Sequence, residues 1–216
     1  MLNLHGTIPK KIYVSWKNKN VIDKDFSIIN KGIKNILVLN PEYEIIIYDD
    51  DDIEHYLKTN LGSHDYDLIK NKYIVEKIDL WRLLIIYNEG GIFTDIDRYV
   101  NIPFSEIFND DISLVLATFV DTDFSQDIII SVAKNPILKT AIELNLKRRR
   151  EGCKDIYFLG PKTYMHAVVY NFCGVSISTR TLPKKYLQKI FRSNHSKVSD
   201  TDLRSTTKMD DVVQGF

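Results

Sequence analysis

Apolar and polar residues follow two rhythms along this chain, and the changes of rhythm mark its elements. Lys11-Ile12-Tyr13-Val14-Ser15-Trp16 is β-branched and aromatic and follows Pro9, which predicts a first strand. From Val21 to Leu39 apolar residues recur at helical spacing, up to the stop at Asn40-Pro41. Glu44-Ile45-Ile46-Ile47-Tyr48 is a short, nearly continuous apolar run, the mark of a strand buried on both faces. Asp49 to Asp52 then open a predicted helix through Leu57, since negative charge complements a helix N-terminus. Ile74, Ile78, Trp81, Leu84 and Ile85 predict an amphipathic helix from Ile74 to Asn88, which Gly90-Gly91 ends. Ile92-Phe93-Thr94 is the next buried strand, and it runs directly into Asp95-Ile96-Asp97.

The second half continues the alternation. Ser113 to Val120 and Asp127 to Val132 read as strands. Pro136 opens a helix that keeps its apolar spacing up to the basic run Lys147–Arg150, which reads as solvated surface at a helix end. Lys162 to Tyr170 is one more helix, after the Gly160-Pro161 turn, and Gly174 to Ser178 a short strand. From Ser193 onward the chain is polar and irregular. Strands alternating with helices predict a single Rossmann-like α/β domain over residues 1–192, with a mostly parallel central sheet between helices. Residues 193–216 are expected to be a mobile tail.

Composition adds limits rather than identity. With 216 residues, 44% apolar and 27% charged, the chain is long enough for a sizeable core and too apolar for disorder. The formal net charge is zero, which offers no hint of a nucleic-acid partner. The distribution is uneven, however. Glu42 to Asp67 holds nine acids against one lysine, and Lys134 to Lys197 holds fourteen bases against three acids. No apolar run nears the ~20 residues of a membrane span, and Met1 to Lys11 lacks the apolar block of a secretory signal. A soluble, cytoplasmic protein is the expectation. Cys153 and Cys173 lack metal-like spacing and read as reduced structural thiols.

The candidate chemistry centres on Asp95 and Asp97. Two apart in an extended segment, they point to one side, beyond the end of a buried strand. Two such carboxylates form a hard-oxygen site for Mn²⁺ or Mg²⁺, able to share the ion with a diphosphate. An isolated Asp-x-Asp is also a common solvated turn. What distinguishes this one is the order before it: helix, Gly-Gly break, short apolar strand. Asp79 and Arg82, at i and i+3, lie on one face of that helix. They read either as a surface ion pair or as groups facing a sugar and its phosphate.

These pieces, in this order, resemble the DXD sugar transferases of glycosyltransferase family 32. That family includes yeast-type mannosyltransferases, bacterial capsule enzymes and, more distantly, the glucosylating clostridial toxins. The opening Ile8-Pro9-Lys10-Lys11-Ile12-Tyr13-Val14-Ser15-Trp16 is similar to its first strand. Pro41-Glu42-Tyr43-Glu44 with Tyr48-Asp49-Asp50 resembles its second. Lys77-Ile78-Asp79-Leu80-Trp81-Arg82 through Gly90-Gly91-Ile92-Phe93-Thr94-Asp95-Ile96-Asp97 resembles its core block. Asn135-Pro136 and Leu159-Gly160-Pro161 resemble its later elements. The likeness runs over about residues 8–165. Ile78 stands where Ser or Ala is usual, Phe93 where Tyr is usual, and Leu159 where Thr precedes Gly-Pro.

The resemblance implies a GT-A type fold and a metal-dependent transfer of a hexose, with retention, from a nucleotide-diphosphate sugar to a glycan or other hydroxyl acceptor. A UDP-sugar is the favoured donor and GDP-mannose its main rival. Val14, Ser15 and Trp16 would lie at the base; Trp16 equally suits core packing. Asp79 and Arg82 would contact the donor sugar, and Ile96 would sit between the two acids. Asp95 would touch sugar or ribose, and Asp97 would be the more direct metal ligand. Gln126 or Asp127 would lie under the sugar ring, with Asp127 a conceivable nucleophile and, equally, an ordinary residue at a strand start. His195 is a possible third metal ligand. Lys184, Lys185, Arg192 and Lys197 are candidates for the base at the diphosphate. The length suits a minimal catalytic core, either an excised domain or a small bacterial or viral enzyme. Two other classes remain: a non-catalytic nucleotide-sugar-binding module, and an Asp-x-Asp phosphatase. The latter is disfavoured because Tyr99 stands where it needs Thr or Val.

Overall fold

A computed structural model of the chain describes residues 6–21, 29–120, 123–172 and 179–182. In chain order the elements are β1 (Lys11–Ser15), a 3₁₀ turn (Lys19–Val21), α1 (Ile29–Leu39), β2 (Glu44–Tyr48), α2 (Asp50–Asn60), α3 (Ser63–Asp67), α4 (Ile74–Glu89) and β3 (Gly91–Thr94). They continue with α5 (Phe104–Ile107), β4 (Leu114–Val120), β5 (Asp123–Phe124), β6 (Ile128–Ser131), α6 (Pro136–Arg150), α7 (Ile156–Leu159), α8 (Pro161–Phe172) and β7 (Thr179–Leu182). The strand expected at Gly174–Ser178, the tail from Ser193, and most of the N-terminal half of the Val21–Leu39 helix lie outside the described residues.

The sheet runs β2-β1-β3-β6-β4, with β5 and β7 both paired to β4. β1 pairs in parallel with β2 and β3, and β7 in parallel with β4. β6 is antiparallel to both β3 and β4, so those five strands share one direction and β6 opposes it. Burial on both faces explains the apolar strands. Tyr13, Phe93, Leu116 and Ile129 join the core under α4 and α6, while Ile12, Val14, Ile92 and Ile130 join a second core on the opposite face.

Local rules set the boundaries. Asp49 caps α2 in a capping box with Asp52, which accounts for the acidic run there. Asn135 caps α6 through Ile137 N–H at 2.9 Å, with Pro136 in its first turn. Gly91 has φ +101°, and a Cβ on it would fall 2.7 Å from Lys11 O, so only glycine lets β3 lie against β1 directly after α4.

Three expectations change. The Asp95-Ile96-Asp97 segment is not extended: Ile96 and Asp97 form a turn, closed by Arg98 N–H donating to Asp95 O at 3.2 Å. α4 is not amphipathic: it is wedged between the sheet, α2 and α6, and Glu76, Asp79 and Arg82 are buried along with its apolar residues. Nor is Lys147–Arg150 solvated throughout. Arg148 and Arg149 are buried, because α7 and α8 fold over that end of α6.

Candidate active site

The site forms where β3 ends. Asp95 N–H donates to Asp127 O at 2.9 Å, extending the β3–β6 pairing one step and seating Asp127 beside the Asp95-Ile96-Asp97 segment. α4 lies behind and presents Asp79 and Arg82 to the same spot. Arg82 holds the site together: Nη2 is 3.1 Å from Asp79 Oδ1, Nη1 donates to Gln126 O at 3.0 Å and lies 3.5 Å from Asp95 Oδ1. Its guanidinium packs 4.6 Å from the centre of the Phe93 ring. Phe93 thus lacks the usual hydroxyl but supplies an aromatic face to the key cation.

Asp79 and Arg82 are therefore not a surface pair. Their side chains are 7% and 8% exposed, so each charge depends on the other for the hydration it has lost. Burial raises the Asp79 carboxyl above the usual carboxylate range; Arg82 and Arg149 oppose this, as does the hydrogen bond from Gln126. Gln126 Nε2 donates to Asp79 Oδ1 at 2.9 Å. Its Oε1 is buried without a hydrogen-bond partner among the described residues.

Asp95 is pushed up to about 7, first by burial and then by the charges of Asp127 and Asp97, against the pull of Arg82 and Arg98. Arg98, directly after the motif, bridges three carboxylates: Asp127 Oδ2 at 3.2 Å, Asp97 Oδ1 at 3.8 Å and Asp95 Oδ2 at 4.0 Å. Asp127 also accepts from Ser125 Oγ.

A divalent ion fits this donor set. The oxygens are hard, their mutual repulsion is incompletely relieved, and Asp95 keeps 33% of its side-chain surface open. Among the described residues no three His, Cys, Asp or Glu side chains form a cage, so such an ion would take other ligands from water or phosphate.

The remaining expected residues fall as follows. Trp16 is 5% exposed, packed on Ile33 and on Ile96 of the Asp-x-Asp segment, with Lys17 Nζ 5.6 Å from its ring. Ser15 ends β1 opposite Tyr48, and Val14 has its side chain in the core, leaving only its backbone for a ligand. His195, Lys184, Lys185, Arg192 and Lys197 lie outside the described residues. Two residues at the site were not assigned to it from the sequence. Arg98 was signalled only by adjacency to the motif. Gly160, between α7 and α8, sits against Asp79 so closely that a Cβ would meet Oδ2 at 2.4 Å.

The paired aspartates and the buried Asp–Arg pair behind them stand at the end of a strand in a GT-A type fold. Residues 8–113 match the glycosyltransferase sugar-binding region containing the DXD motif, and the chain is similar to the family 32-like transferases of that DXD group. Inositol phosphoceramide mannosyltransferase 3 of Schizosaccharomyces pombe is 27% identical over 95 residues, 44% of this chain and 26% of that protein. Inositol phosphoceramide mannosyltransferase 1 of the same yeast is 22% identical over 173 residues, 77% of this chain and 51% of that protein. The chain thus spans between a quarter and about half the length of these relatives. The solved structure of the PaToxG glycosyltransferase superposes with a TM-score of 0.60 at 20% identity, covering 78% of this chain and 71% of its own. Among the described residues no helix is long and apolar enough to cross a membrane.

Proposed function

We propose that this chain transfers a hexose from a nucleotide-diphosphate sugar, a UDP-sugar in preference, to a hydroxyl of a glycan or another acceptor, with retention of configuration. The observation that carries this reading is the buried Asp79–Arg82–Gln126 network at the end of β3, with the part-exposed Asp95 at its edge. A buried, hydrogen-bonded set of polar groups recognises a hydroxylated ligand with high discrimination, because any hydroxyl left out leaves a buried partner unpaired.

Asp79 and the free Oε1 of Gln126 orient sugar hydroxyls. Arg82 aims Asp79 and Asp95 and opposes the effect of burial on both carboxyls. Trp16, reached beside Ser15, lines the base end. Asp97 and Asp95 would hold a Mn²⁺ or Mg²⁺ ion, whose chemistry is to neutralise the leaving diphosphate. Arg98 adds a second cation on that side and is the nearest candidate for the phosphate among the described residues. The mannosyltransferase names of the two yeast relatives keep GDP-mannose as the rival donor.

The deciding experiment is calorimetric binding of UDP-glucose and GDP-mannose, each with Mn²⁺ and with EDTA, to the wild type and to Asp97→Ala. Metal-dependent binding of one nucleotide sugar, lost in folded Asp97→Ala, is expected. Undiminished turnover in EDTA or in that variant overturns the metal-diphosphate reading.

A further inference from the structure

Beside Asp79 runs a second buried polar chain, which meets the site as described only through the charge of Arg149. Arg149 Nη1 donates to Glu76 Oε2 at 2.7 Å, and Arg149 Nε donates to Asn145 Oδ1 at 2.8 Å. Asn145 Nδ2 in turn donates to Leu159 O at 2.7 Å. Asn145 is 0% exposed, and Glu76 and Arg149 are 7% each.

The ends of this chain are informative. Glu76 lies one helical turn before Asp79 on α4. Leu159 immediately precedes Gly160, the residue pressed on Asp79. One helix, α6, therefore grips from behind the two segments that face each other across Asp79. A buried ion pair is a poor device for stability alone, since apolar side chains of similar volume hold two helices as well or better. Its strength is geometric: charge-assisted hydrogen bonds fix distance and orientation. Arg149 also contributes positive charge beside Asp79, opposing the effect of burial on that carboxyl.

We propose that Asn145 and Arg149 are positioning residues for donor-sugar recognition, setting the spacing between α4 and the Gly160 turn and so the placement of Asp79. Neither touches substrate; both act through Asp79. This inference rests on the reading of the pocket as a nucleotide-sugar site.

A comparison on the same helix separates positioning from plain support. Lys77 Nζ pairs with Glu54 Oε2 at 2.5 Å, tying α4 to α2 on a side that does not lead to Asp79. Affinities for UDP-glucose and for UDP, with GDP-mannose and GDP in parallel, are measured by calorimetry in the wild type and in Arg149→Met, Asn145→Leu and Lys77→Met. Asn145→Leu is included because Arg149→Met strands a buried carboxylate and can fail to fold. In folded Arg149→Met or Asn145→Leu, nucleotide-sugar affinity is expected to fall about tenfold while affinity for the free nucleotide stays within about twofold, as for loss of one well-placed polar contact. Lys77→Met is expected to leave both affinities unchanged. Equal weakening of sugar nucleotide and free nucleotide, or no weakening in a folded variant, overturns the positioning role. Absence of any nucleotide-sugar binding in the wild type instead overturns the functional reading beneath it, and this inference with it.

Discussion

Gly160 and Asp79 are in backbone-to-carboxylate contact across 81 positions of sequence: a Cβ on Gly160 would fall 2.4 Å from Asp79 Oδ2 and 3.0 Å from Gln126 Nε2. The space beside Asp79 thus requires glycine at position 160. Gly160→Ala therefore forces Asp79 aside. Strain of ~1–3 kcal/mol is the usual cost of such overpacking. The larger effect is on placement, and turnover of a nucleotide sugar is expected to drop on the order of 10²-fold. Free-nucleotide affinity is expected to be unchanged. Steady-state kinetics beside calorimetry check this, and full activity in Gly160→Ala means the turn does not form the sugar wall.

How much of this was legible in the sequence follows from how local each signal is. The strand ending in Asp95-Ile96-Asp97 and the helix carrying Asp79 and Arg82 show in the apolar rhythm, because periodicity and glycine breaks are local. Gly160-Pro161 was legible as a turn, but its partner was not, since no pattern in residues 155–165 encodes contact with residue 79. The basic run Lys147–Arg150 misled for a related reason: a charged helix end is surface by default. Arg149 is buried only because α4 offers Glu76 and α6 offers Asn145 to receive it. α4 likewise read as amphipathic from the spacing of Ile74, Ile78, Trp81, Leu84 and Ile85, whereas the charged Glu76, Asp79 and Arg82 neutralise one another or an α6 partner inside the protein.

Arg82 is the compensating cation for two acids, and its loss should act on stability as well as function. Arg82→Met leaves Asp79 buried with its nearest positive charge gone. Breaking a buried pair in this way costs ~3–5 kcal/mol. Asp79→Asn is expected to cost less, because Arg82 retains Gln126 O and Asp95. Urea unfolding of the two variants measures the difference. If Arg82→Met loses under ~1 kcal/mol, solvent rather than Arg82 is compensating Asp79.

Arg98 sets the electrostatics beside the carboxylates proposed to hold a metal. It stands 3.2 Å from Asp127 and within 4.0 Å of Asp95, so it partly satisfies carboxylates that would otherwise serve a divalent ion. Arg98→Gln removes that competition, and Mn²⁺ alone is expected to bind several-fold more tightly. With the nucleotide present the order reverses if Arg98 also serves the diphosphate: UDP affinity should fall. Titration of Mn²⁺ followed by electron paramagnetic resonance, with and without UDP, reads both effects. Unchanged metal affinity would show that Arg98 and the ion do not share these oxygens.

Asp95 makes the stability of the metal-free chain depend on pH in an unusual direction. Burial, with Asp127 and Asp97 nearby, holds its carboxyl at about 7 in the folded protein, against 3.8 for the free group. Between those values the folded chain binds more protons at this position than the unfolded chain does. Stability from this group is thus fully present below about pH 4 and is lost as pH rises towards 7. Asp95→Asn cannot titrate and should lack that slope. Urea unfolding in EDTA at pH 5 and pH 8 is the test: the wild type should lose stability at pH 8 relative to Asp95→Asn. Added Mn²⁺ should restore it, since binding favours the ionised, folded site. Parallel behaviour of wild type and Asp95→Asn across that range would mean that Asp95 is already ionised at pH 5, and that Arg82 and Arg98 outweigh burial.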